Sequence, residues 1–119
     1  MKIGVPSEVK NNEFRVGLTP NSCRAIIDEG HSIFIQSNAG SGIGFTNEDY
    51  IKSGALILDT AEDVYLAAEL IIKVKEPVES EYQYLRDDLT LFTYLHLAGD
   101  PVNAKKLIET GVTGIAYET

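Results

Sequence analysis

Three side chains in this sequence carry the chemistry that a small carboxylic acid calls for: Arg15, Lys75 and His96. A guanidinium can take a carboxylate through two parallel hydrogen bonds. An ammonium supplies a second cation. An imidazole titrates at about pH 6.5 and moves protons near neutrality. Lys75 closes the run Leu70-Ile71-Ile72-Lys73-Val74-Lys75, with Glu76-Pro77 behind it, and His96 closes Leu89-Thr90-Leu91-Phe92-Thr93-Tyr94-Leu95-His96. Both runs are rich in β-branched and aromatic residues and short enough to be strands. Their last residues lie 21 positions apart, one strand–helix–strand unit. Adjacent parallel strands would set Lys75 and His96 side by side at the carboxyl ends of a sheet, where open α/β sheets bind ligands.

Each residue also has a plainer reading. Arg15 can be a solvated cation paired with Glu8 or Glu13. Lys73 and Lys75 share one strand face by the period of two, which suits either a site or an edge strand with solvated lysines. His96 can be structural. Tyr82, Tyr84 and Tyr94 read as packing residues, and Glu79, Glu81, Asp87 and Asp88 as solvated charge.

The elements that would position these groups can be read from local signals. A strand is predicted over 2–5, a polar loop over 6–14 and a short extended piece over 14–18. Thr19-Pro20 reads as N-cap and first helical residue. That helix places Cys23, Ile26 and Ile27 on one face and stops at Gly30. The next strand covers 31–36. Thr46 caps a short helix with Asp49 three residues on, a capping-box arrangement. A strand over 55–58 comes next, then a helix capped by Thr60 with Glu62 and Asp63 in its first turn. A short helix over 79–85 separates the Lys75 and His96 strands. Asp100-Pro101 starts a last helix, ending at Gly111, and 112–117 is a final strand. The alternation predicts one α/β domain: a doubly wound, mostly parallel sheet with helices on both faces, Rossmann-like or flavodoxin-like.

Composition narrows the function classes. The chain has 119 residues, 44% hydrophobic and 24% charged, with formal net charge −8. That balance opposes nucleic-acid binding, which needs a basic face, and opposes an anionic membrane surface. No apolar run approaches the ~20 residues that span a bilayer. Cys23 is the single cysteine and His31 and His96 are the two histidines, so neither a disulfide nor a metal site is expected. With no signal-peptide pattern at the N-terminus, a cytoplasmic location is expected.

Gly40-Ser41-Gly42-Ile43-Gly44 comes after a strand and precedes a helix, as a dinucleotide fingerprint would. Its third glycine comes one residue early for G-x-G-x-x-G, and the next helix has its own cap at Thr46. It therefore reads as a packing loop, and no cofactor-binding residue is assigned in this chain.

Four blocks, in order, resemble the N-terminal part of the alanine dehydrogenase and pyridine nucleotide transhydrogenase family. The first runs from Met1-Lys2-Ile3-Gly4-Val5-Pro6 through Asn11-Asn12-Glu13-Phe14-Arg15-Val16-Gly17-Leu18-Thr19-Pro20. The others are Ile72-Lys73-Val74-Lys75-Glu76-Pro77, Leu91-Phe92-Thr93-Tyr94-Leu95-His96-Leu97-Ala98 and Gly114-Ile115-Ala116-Tyr117-Glu118-Thr119. Ser7 and Gly17 depart from the pattern, which carries lysine and alanine there.

The resemblance implies the substrate side of an enzyme that converts L-alanine, NAD and water to pyruvate, ammonia and NADH. Arg15 and Lys75 would bind substrate and His96 would be the acid/base, with Glu8 and Tyr94 as supporting residues. It also implies that NAD is held by a Rossmann domain absent from residues 1–119, so that the chain alone would be inactive. A homo-oligomer, or association with that C-terminal domain, is the implied assembly. Two alternatives stay open: the front of a transhydrogenase alpha subunit, and a non-catalytic remnant binding a small 2-oxo acid or a partner chain. The chain ends directly after a predicted strand, as the front of something longer would.

Overall fold

The computed structural model describes residues 1–9, 13–93, 105 and 108–116. They form a six-stranded sheet in which every pairing is parallel. In chain order the elements are β1 (Lys2–Val5), α1 (Pro20–Asp28), β2 (Ser32–Gln36), α2 (Asn47–Lys52), β3 (Leu56–Leu58), α3 (Ala61–Ala67), β4 (Leu70–Ile72), β5 (Thr90–Thr93) and β6 (Thr113–Ala116). Across the sheet the order is β3-β2-β1-β4-β5-β6. The chain winds outward from β1 to β3, then returns to the other side of β1 and winds outward again. The switch point therefore lies between β1 and β4.

Local signals set the helices. The Thr19 hydroxyl accepts from Ser22 N, with Pro20 opening α1. Thr46 and Asp49 exchange both bonds of a capping box on α2. Thr60 accepts from Asp63 N on α3. Each cap satisfies a backbone donor that a helix end leaves open.

Alternation along the strands divides the core between two faces. Ile3, Val5, Ile33 and Ile35 pack with Cys23 of α1 and Tyr50 of α2. Ile71 and Leu91 pack on the other face with Val64, Tyr65 and Ala68 around α3, with Tyr82 and Tyr84 against them. The second face is also closed by the 3₁₀ helix Glu79–Tyr84, where a short helix was expected.

Three expectations need correction. Segment 14–18 is not a strand; it crosses the carboxyl end of β4. A Cβ on Gly17 would lie 2.5 Å from the Ile72 carbonyl oxygen, so an alanine there would require the segment to lift. The run 70–75 does not stay in the sheet to its end. Lys73 N still donates to Phe92 O, but the amides of Val74 and Lys75 turn to the Glu8 carboxylate instead. Finally, β4 is no edge strand, because β1 and β5 flank it. The last predicted helix falls mostly outside the described residues.

Candidate active site

At the β1/β4 switch point the residues just beyond the carboxyl end of each strand meet. After β1 the chain passes Pro6 and Ser7 and delivers Glu8. After β4 it delivers Lys73, Val74 and Lys75. Glu8 joins the two sides: its Oε2 accepts from Val74 N and its Oε1 from Lys75 N, each at 3.0 Å. A carboxylate under two backbone donors satisfies amides that the end of the sheet would otherwise strand in a part-buried place.

Behind Glu8 lies a buried charge cluster. Lys73 Nζ is 3.4 Å from Glu8 Oε1 and 3.1 Å from Glu81 Oε2, and the three side chains are 1%, 2% and 4% exposed. The Tyr65 hydroxyl donates to Glu81 Oε2, and Glu81 Oε1 accepts from Val78 N. Burial, followed by the nearby Glu81 charge, raises the Tyr65 phenol well above its ordinary pKa, which keeps it a donor. Glu81 is thus not solvated charge, and Lys73 is not a solvated lysine. One signal for Lys73 was present in the chain: it continues the inward alternation of Ile71, and a lysine on such a face must find partners.

In front of Glu8 opens a cleft of about 330 Å³ between the loop after β1 and the turn after β2. Glu13 and Arg15 line it, with Ser7, Asn38 and Ser41. Arg15 Nε and Nη2 donate to the two oxygens of Glu13 at 2.9 and 2.8 Å. This bond is the main reason the Glu13 carboxyl titrates below its ordinary value; burial opposes it, and the charges of Arg15 and Lys75 add to it. Lys75 is half-buried and is not among the residues that line the cleft. Of the two partners the sequence offered Arg15, Glu13 is the one it takes; Glu8 goes to Lys73.

The glycine-rich loop forms the far wall. The amides of Ser41, Ile43, Gly44 and Phe45 donate to Asn38, Gly40 and Ser41 carbonyls within the loop. Four donors that could face a phosphate are turned inward. Among the described residues no group of three or more His, Cys, Asp or Glu is set to hold a metal ion, and no helix is long and apolar enough to cross a membrane. His96 and Tyr94 lie outside the described residues.

The family model for the alanine dehydrogenase/PNT N-terminal domain matches residues 4–119. The chain belongs to this family. An alanine dehydrogenase of Methanococcus maripaludis is 50% identical over all 119 residues. A solved L-alanine dehydrogenase superposes on the whole chain with TM-score 0.96 at 48% identity. A transhydrogenase from Sinorhizobium meliloti shares the fold over 98% of the chain, with TM-score 0.90 at 24% identity. This family domain spans about a third of these relatives: 32% of the Methanococcus protein, 33% of the L-alanine dehydrogenase chain and 34% of the transhydrogenase chain.

Proposed function

We propose that this domain is the substrate side of an NAD-dependent alanine dehydrogenase, with L-alanine and pyruvate bound in the cleft between the loop after β1 and the turn after β2. One observation carries the reading: Arg15 lines that cleft and holds the Glu13 carboxylate there through two parallel hydrogen bonds, the geometry in which a guanidinium takes a carboxylate. The similarity to alanine dehydrogenases over the whole chain supports the choice of acid.

In this reading Arg15 takes the substrate carboxylate and Lys75 faces the carbonyl oxygen. Tyr94 and Glu8 support them. His96 exchanges a proton with the substrate oxygen. In the aminating direction, ammonia adds to the pyruvate carbonyl and the carbinolamine oxygen leaves as water. That oxygen needs a proton on departure, and His96 supplies it. In the aminating direction NADH would supply the hydride, and in the reverse direction NAD would accept it. The described residues do not fit a dinucleotide, since the glycine loop spends its amides on itself. No hydride step is assigned to this chain; in this reading a further domain holds NAD, and residues 1–119 associate with that domain or form a homo-oligomer.

Calorimetric titration of the 119-residue protein with pyruvate and with NADH tests the reading. Pyruvate should bind weakly, Arg15→Ala and Lys75→Ala should each abolish measurable binding, and NADH should not bind. Unchanged pyruvate affinity in both variants, or tight NADH binding, would overturn it.

A further inference from the structure

We infer that Lys73 is a positioning residue: it holds Glu8 in place, and Glu8 fixes the Val74–Lys75 backbone. Each link is a contact. Lys73 Nζ reaches Glu8 Oε1 and Glu81 Oε2, and Glu8 spends both oxygens on the amides of Val74 and Lys75. Glu81 is anchored in turn by Val78 N and the Tyr65 hydroxyl. The chain of contacts runs from α3 and the Glu79–Tyr84 segment, through one buried cation, to the backbone of Lys75.

The energetics argue that this arrangement serves position rather than bulk stability. Burying a cation with two carboxylates carries a desolvation cost that often equals or exceeds the Coulomb gain, and well-packed apolar side chains would stabilise the same volume as well. An apolar cluster could not hold a carboxylate beneath two amides. Glu8 is 2% exposed, and Lys73 Nζ at 3.4 Å is the cation that faces it there. Without that charge, the two amides beyond the end of β4 lose a bidentate acceptor, and the backbone at Lys75 is released.

The consequence for binding rests on the proposed role of Lys75 as substrate anchor, whereas the consequence for the backbone does not. The test is therefore amide hydrogen exchange by NMR on the 119-residue protein, read beside pyruvate titration. In Lys73→Met the Val74 and Lys75 amides should lose about tenfold or more in protection beyond any change in global stability, while Ile3 and Ile71 track the global change. In Glu8→Gln, whose amide group has a single acceptor oxygen, one of the two amides should keep its protection and the other lose it. Glu8→Gln also decides the matter if Lys73→Met does not fold. Retained protection at both amides in the folded variants would overturn the inference. Where the wild type binds pyruvate, its affinity should fall in Lys73→Met; loss of protection with unchanged affinity would overturn the positioning role. Absence of pyruvate binding in the wild type would instead count against the proposed substrate, and the amides would still decide whether Lys73 holds Lys75.

Discussion

The Tyr65 hydroxyl donates to Glu81 Oε2 over 2.8 Å, and that same oxygen lies 3.1 Å from Lys73 Nζ. One carboxylate oxygen thus joins α3 to the first residue beyond β4. Tyr65→Phe keeps the ring, which stacks on Tyr84 at 5.2 Å, and removes only the donor. Because the acceptor is charged and buried, stability should fall by about 1.5–3 kcal/mol. Urea denaturation checks this: the midpoint should move down with an unchanged slope. A midpoint equal to that of the wild type would mean that the bond contributes nothing.

Glu13 makes the acid side of the cleft sensitive to pH. Its carboxyl is held below the ordinary 4.5 chiefly by the Arg15 hydrogen bond. A depressed folded pKa means that the pair's contribution is complete above 4.5 and is lost as pH falls through the lower folded value. Arg15→Ala should raise the Glu13 midpoint and flatten the acid limb of the stability profile. Carboxyl titration by NMR reads the midpoint directly, and an unmoved midpoint would remove Arg15 as the cause. Arg15 is 61% exposed, so the effect on total stability should be small.

Gly4 in β1 tests the packing of α3 on the sheet. A Cβ there would sit 2.8 Å from Val64 Cγ1 and 2.9 Å from both Ala68 Cβ and Ile71 Cδ1. Gly4→Ala should destabilise the domain by about 1–3 kcal/mol, because helix and sheet must part to admit the methyl. Thermal unfolding would show it, and a melting temperature at or above that of the wild type would contradict such close approach.

Caps and strand faces were legible because their causes lie within a few residues. Thr46 and Asp49 meet across one helical turn, and Ile33 and Ile35 share a face by pleat alone. The order of elements also pointed to a parallel, doubly wound sheet, since helices between short strands leave few other ways to bury both faces. The extended reading of segment 14–18 failed for a different reason. Weak alternation suits a strand, but β1 already has β2 and β4 as neighbours, and the segment instead lies over the Ile72 carbonyl.

The chain by itself determined that Arg15 and Lys75 carry the right charges, that Lys75 lies near the carboxyl end of a strand, and that Glu8 and Glu13 are the nearby acids. Tertiary structure alone decided which acid goes with which cation. Glu8 is 66 residues from Val74 in sequence and 3.0 Å from its amide in space. That approach exists because the sheet sets β4 beside β1, on the side away from β2. The same placement buries Lys73 between Glu8 and Glu81 and leaves Arg15 to Glu13. Pairings of this range depend on strand order, and strand order is a property of the whole packed sheet rather than of any window of sequence.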